Sequence, residues 1–282
     1  MSNEFLPGAV VRDVTSSAER AYRIFIWAPP AGDARKRPVV YLLDGNGSFP
    51  IAVAAAALQS RRPERTGVQP ALIVGIGYPT DQWLDPERRT YDYTPALPDA
   101  ALPQRPGRGG WSRTGGADEF LDFIVAELQP ALEAEFNIDS DRRALFGHSF
   151  GGLFVLHSLF TRPDLFRSYA AASPSIWFGG DHLAAVKQRF IARRTPARRL
   201  LITVGGLEQA EGHAGDGSQP DYDLWIRRNR MVENARALAD ELAAIGRDRL
   251  DVTFSEFADE NHASVLPAAI SRMLRFVFAP AA

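Results

Sequence analysis

The pentapeptide Gly147-His148-Ser149-Phe150-Gly151 constrains this chain more than any other feature. It follows the apolar run Ala144-Leu145-Phe146 and opens a stretch with Leu153, Leu156 and Phe160 on one helical face. A strand that turns into a helix within a few residues, with a serine at the turn, describes a nucleophile elbow. Such a turn forces Ser149 into a strained conformation and lifts its hydroxyl out of the fold. Gly147 and Gly151 leave room for strand and helix to approach closely. Without that setting, the same residues would read as a serine N-cap on a buried helix.

The rest of the chain alternates in the same way. Eight short runs read as strands: Ala9–Thr15, Tyr22–Trp27, Val39–Leu43, Leu72–Tyr78, Arg143–Phe146, Ser168–Ala172, Leu200–Val204 and Asp251–Phe257. The first two have no helix between them, which predicts an antiparallel start. Helical periods then intervene at Pro50–Ser60, Asp118–Phe136, Ser149–Thr161, Asp181–Arg194, Arg230–Ile245 and Ser264–Phe278. Runs such as Val39-Val40-Tyr41-Leu42-Leu43 are continuously apolar, as expected of strands covered by helices on both faces. The pattern predicts an α/β fold: one domain over residues 1–282, with an eight-stranded, mostly parallel sheet. Two long stretches stay irregular. Asp81–Gly115 is rich in proline, tryptophan and arginine and reads as a lid-like insertion, and Gly205–Tyr222 is rich in glycine and acids.

Composition removes several classes of function. With 32 Lys and Arg against 34 Asp and Glu, the chain lacks the basic field of a nucleic-acid binder. It has no cysteine, so disulfides, thiolate metal sites and a cysteine nucleophile are excluded. The longest nearly apolar run, Ile51–Leu58, is far shorter than the roughly 20 residues of a membrane span. The first residues show no basic patch followed by an apolar core, so a cytoplasmic enzyme is the expectation.

A serine hydroxyl needs a base. His148 neighbours Ser149 on the tight turn and is expected to point elsewhere. His157 lies eight residues along the helix, ~12 Å away. His182 opens a helix before the last two strands, and His213 sits in the glycine-rich stretch. His262 follows the last strand, at the carboxyl end of the sheet where α/β sites assemble. It also comes last in the order Ser, acid, His. The acid should follow the seventh strand. Glu208 is the first carboxylate there, with Glu211, Asp216, Asp221 and Asp223 as competitors, and a dyad without a tight acid is the remaining option. Charge developing on the substrate oxygen needs two N–H donors. One is the amide of Phe150. The other comes from the turn Asp44-Gly45-Asn46-Gly47, through the amide of Asp44 or of Gly45.

These motifs resemble a family. Tyr41-Leu42-Leu43-Asp44-Gly45-Asn46, Gly75-Ile76-Gly77-Tyr78, Arg89-Thr90-Tyr91-Asp92-Tyr93-Thr94-Pro95 and Gly115-Gly116-Ala117 carry part of the likeness. Gly147-His148-Ser149-Phe150-Gly151-Gly152, Ser173-Pro174-Ser175-Ile176-Trp177 and His262 carry the rest. Over nearly its whole length the chain resembles the esterase D-like α/β hydrolases, in particular siderophore trilactone esterases acting on enterobactin, salmochelin or bacillibactin. The resemblance implies an α/β-hydrolase fold, Ser149 and His262 as catalytic residues, and oxyanion amides from the Asp44–Gly45 turn and Phe150.

The lid-like insertion suggests how a substrate is held. It brings Trp83, Tyr91, Tyr93 and Trp111 together with Arg88, Arg89, Arg105, Arg108 and Arg113. Arginines and aromatic rings suit an anionic aromatic ligand, and a ferric tris-catecholate is one. Arg89, Tyr91, Trp111 and Trp177 are the expected substrate-binding residues. The expected activity is cofactor-independent ester hydrolysis through an acyl-enzyme, with a small-molecule ester as the partner and a ferric siderophore as one candidate. The rivals are a general carboxylesterase on small acyl esters, an acyltransferase, and a non-catalytic ligand-binding protein on a hydrolase scaffold.

Overall fold

The computed structural model describes residues 6–29, 36–104, 110–209 and 220–279. Eight strands form one sheet: β1 Ala9–Thr15, β2 Ala21–Trp27, β3 Arg37–Leu42, β4 Leu72–Gly77, β5 Ile138–His148, β6 Ser168–Ala172, β7 Arg198–Gly205 and β8 Leu250–Phe257. Their order across the sheet is β1-β2-β4-β3-β5-β6-β7-β8. β2 pairs antiparallel with both β1 and β4, and every later pairing is parallel. Each strand falls on a run expected from the sequence.

Helices cover both faces. They are α1 Gly45–Gln59, α2 Pro63–Thr66, α3 Pro86–Tyr93, α4 Ala117–Asp122, α5 Gln129–Glu135, α6 Phe150–Thr161, α7 Ile176–Ala192, α8 Pro220–Asn229, α9 Met231–Ala243 and α10 Val265–Phe278. Strand periodicity divides the core in two. Val39, Tyr41 and Leu43 pack into one cluster with α4 to α7 and α9, whereas Val40 and Leu42 join the other with α1 and α10. α4 and α5 run on through a wider turn at Phe123–Leu128, where the Gln129 amide bonds to Ile124 five residues back. Pro130 follows at once. Its missing N–H and its ring both disturb ordinary α geometry, and a π turn relieves the conflict.

Three departures from the sequence reading bear on the site. α1 begins at Gly45 rather than at Pro50, because Asp44 turns the chain in a left-handed conformation (φ 52°) directly after β3. α7 begins at Ile176 rather than at Asp181 and kinks at Gly180, which places Trp177 in its first turn. The two irregular stretches hold helices. Asp85 caps α3 by accepting the Arg88 amide at 3.0 Å, and Pro86 occupies the first helical position.

Register decides where function can sit. His148 pairs with Ala172, Ala172 with Thr203, and Gly205 with Phe257. The carboxyl ends of β5 to β8 are therefore level, and Ser149, Ser173, Glu208 and His262 all follow them within a few residues.

Candidate active site

Ser149 sits between β5 and α6 with φ 61° and ψ −118°, a conformation that side-chain-bearing residues rarely adopt. Such backbone costs about 1–3 kcal/mol and persists only where its surroundings hold it. Here the Ser149 amide donates to the Ala172 carbonyl at 2.9 Å, and the Ser149 carbonyl accepts from Leu153 and Ser175. A Cβ on Gly147 would lie 2.3 Å from the Gly151 carbonyl, so the crossing of strand and helix excludes any side chain there.

His262 leaves β8 on a loop folded by Asn261, whose side-chain oxygen accepts the amides of Ala263 and Ser264. That loop lies against the end of β7, where a Cβ on Gly205 would meet the Glu260 carbonyl at 2.4 Å and the Leu207 amide donates to that same carbonyl. The close contact carries Glu208 to His262, and Glu208 Oε2 lies 2.6 Å from His262 Nδ1. Glu208 is buried. Its other oxygen accepts the Ser173 hydroxyl at 2.5 Å and the Gly205 amide at 2.7 Å. A carboxylate can only accept, so Nδ1 carries the proton and Nε2 is left as an acceptor. Glu208 thus stands where the sequence places the orienting acid. Glu211 and Asp216 lie outside the described residues, as do His213 and the side chains of Asp221 and Asp223.

A cavity of about 670 Å³ opens over these groups and is bordered by both Ser149 and His262. Phe150 lines it too. As the first residue of α6, Phe150 has an N–H with no intrahelical acceptor. At the Asp44–Gly45 turn the two amides differ. That of Asp44 already donates to the Tyr93 hydroxyl at 2.9 Å, which removes it from the expected pair and leaves Gly45.

The expected substrate-binding residues separate. Trp111 and Trp177 line the cavity, their rings 6.1 Å apart and each within 6.0 Å of Phe150. Arg89 also borders it, but its guanidinium grips both oxygens of Asp44 at 2.9 and 3.0 Å. Tyr91 does not belong to the site. Two positions from Arg89 on α3, it faces another way, with the guanidinium groups of Arg20 and Arg113 stacked 4.0 and 4.2 Å from its ring centre. Arg88 packs over Tyr22 and Tyr78, Tyr93 is buried, and Trp83 is 72% exposed. Arg105 and Arg108 lie outside the described residues.

Two further contributors escape the sequence reading. Trp225 on α8 meets Trp177 edge-on at 5.0 Å and extends the aromatic wall, from a helix that begins inside the Gly205–Tyr222 stretch read as irregular and runs past its end. His148 does not point away, because its ring centre lies 4.6 Å from that of His262. Burial, then the charges of His262 and Arg89, hold the His148 ring well below the usual histidine range. No group of three His, Asp or Glu side chains among the described residues is arranged to hold a metal ion. Nor is any described helix long and apolar enough to cross a membrane.

The model of the Esterase family matches residues 15–216. This chain belongs to that family. It is a carboxylic-ester hydrolase with the α/β-hydrolase fold. It is 39% identical to the ferri-bacillibactin esterase BesA of Bacillus subtilis (strain 168), over 99% of this chain and 93% of the relative. It is 38% identical to the siderophore enterobactin esterase of Emericella nidulans, over 88% and 84%. Among solved structures, siderophore hydrolase EstA from Aspergillus nidulans superposes with a TM-score of 0.83 at 34% identity, covering 96% of this chain and 94% of that one. The BES protein from Bacillus cereus gives 0.82 at 36%, covering 96% of both.

Proposed function

We propose that this esterase opens the ester bonds of siderophore trilactones through an acyl-enzyme on Ser149. His262 Nε2 takes the Ser149 proton as the hydroxyl attacks the ester carbonyl, and passes it to the leaving alcohol. Water activated by the same nitrogen then releases the acid and regenerates the serine. Glu208 fixes the tautomer and stabilises the imidazolium formed at each proton transfer. The amides of Phe150 and Gly45 receive the developing oxyanion.

The observation that carries this reading is the Glu208–His262 pair opening onto the same cavity as a strained serine. The substrate class draws support from the two relatives named as esterases of ferri-bacillibactin and enterobactin. The wall of Trp111, Trp177 and Trp225 also supports it, since broad ring faces suit aromatic arms. A second reading is a general carboxylesterase on small acyl esters. It is favoured by the engagement of Arg88, Arg89 and Arg113 within the protein rather than toward the cavity.

Chromatography of enterobactin and of p-nitrophenyl butyrate after incubation with the enzyme separates the two. Cleavage of both is expected, and an intact trilactone beside a hydrolysed butyrate supports the second reading. Retained turnover of either ester by Ser149→Ala would refute the mechanism.

A further inference from the structure

The mechanism leaves Ser173, at the start of the Ser173–Trp177 segment, without a role. Ser175 lies beside the nucleophile, its hydroxyl 3.5 Å from that of Ser149, and Trp177 forms part of the cavity wall. Ser173 does neither. It follows β6, is fully buried, and holds a left-handed backbone with φ 43°.

Glycine occupies that conformation without penalty and serine does not. The chain still needs the turn, for the Ser173 amide donates to the Thr203 carbonyl at 2.7 Å and ties the end of β6 to β7. What serine offers and glycine lacks is the hydroxyl. That hydroxyl donates to Glu208 Oε1 at 2.5 Å, and the Gly205 amide donates to the same oxygen. Two donors on one oxygen leave the other free to face His262 at 2.6 Å. Hydrogen bonds to a buried carboxylate hold its plane and fix which way its free oxygen faces.

We infer that Ser173 is a positioning residue for the catalytic acid, which extends the proposed triad to a chain of four: Ser149, His262, Glu208 and Ser173. The left-handed strain at position 173 is the cost of placing a hydroxyl where the backbone alone would favour glycine. The inference rests on the proposed roles of Ser149, His262 and Glu208.

The test compares Ser173→Ala, Ser173→Gly, Glu208→Ala and the double variant Ser173→Ala/Glu208→Ala, with p-nitrophenyl butyrate turnover and thermal unfolding as readouts. Both single Ser173 variants should lose kcat by about tenfold or more with KM unchanged, the scale of a lost hydrogen bond to a charged group. Ser173→Gly should melt above Ser173→Ala, because it relaxes the backbone. It keeps the test open even if Ser173→Ala folds poorly. In the Glu208→Ala background, Ser173→Ala should change kcat by less than about twofold, since the hydroxyl then has nothing to position. Parental kcat in Ser173→Gly, or an equal Ser173→Ala penalty in both backgrounds, would overturn the inference. Full activity in Glu208→Ala alone would instead strike at the assignment of the acid.

Discussion

Two histidine–carboxylate pairs in this molecule have nearly the same length and opposite burial. In Glu208–His262, at 2.6 Å, the carboxylate side chain is 1% exposed and the imidazole 46%. In Asp118–His157, at 2.8 Å, the imidazole is 3% exposed and the carboxylate 80%. Distance therefore does not distinguish the proposed general base from a structural histidine. Burial does. A buried carboxylate acts on the imidazolium with little solvent screening, while the exposed ring borders a cavity where a substrate can reach it. Around His157 the arrangement is inverted. Its partner is screened by water, and its Nδ1 is buried with no hydrogen-bond partner, so a proton taken there has nowhere useful to go.

The largest effect expected from this contrast lies at the nucleophile and the exposed base. Ser149→Ala and His262→Ala should each lower kcat/KM by about 10⁴–10⁶, and the double variant should be scarcely worse than either, because the two groups act as a unit. Steady-state turnover of p-nitrophenyl butyrate checks this. A multiplicative loss in the double variant would show that the two do not share a proton.

One step smaller is the acid. Glu208→Ala should cost about 10²–10⁴ in kcat with little change in KM, since it orients the base without touching the ester. Asp118→Ala is the control with the inverted burial. It should leave kcat and KM at parental values and cost about 1–3 kcal/mol of stability, because it leaves the buried Nε2 of His157 without its partner. If Asp118→Ala lost activity on the scale of Glu208→Ala, burial would not be what separates the pairs.

Much of the candidate site is legible in the sequence as position. Ser149, Glu208 and His262 each follow a strand end, and strands buried on both faces announce themselves by continuous apolar runs. Glu208 stands out because it is the first carboxylate after the seventh strand, which a single helical turn at Gly206–Glu208 carries to His262. The binding wall is less legible because it is assembled across distance. Trp225 lies on α8 just past the irregular Gly205–Tyr222 stretch, and nothing local marks its ring as the neighbour of Trp177. Tyr91 is misread for a different reason. Without α3, Arg89 and Tyr91 look like neighbours on one flap; on a helix, residues two apart diverge. The Asp85-Pro86-Glu87 start of that helix was present as a cap followed by proline. His148 is misjudged because its nearness to His262 depends on how the loop after β8 folds back.

The smallest expected effect concerns stability, and it arises from the ring beside the structural pair. His182 stacks on His157 with centres 6.2 Å apart. Burial, followed by the charges of His157 and Arg189, holds His182 below the usual histidine value of 6.5. The unfolded chain therefore binds this proton before the folded one does. The resulting stability is complete above about pH 6.5 and is lost as the pH falls below that value and through the lower pKa of the folded chain. Asp118 behaves differently within the same window. Its hydrogen bond with His157 holds its carboxyl below the usual value of 3.8, so its contribution is lost only at more acidic pH. His148, also held low, contributes equally to parent and variant and cancels in their difference. His182→Gln should accordingly lose less Tm than the parent between about pH 7.5 and pH 5.5. Thermal melts of both proteins at the two pH values measure it, with turnover at pH 7.5 unchanged. Parallel losses would mean that the ring beside His157 titrates freely, and the inverted pair would then lie in a wetter pocket than its burial implies.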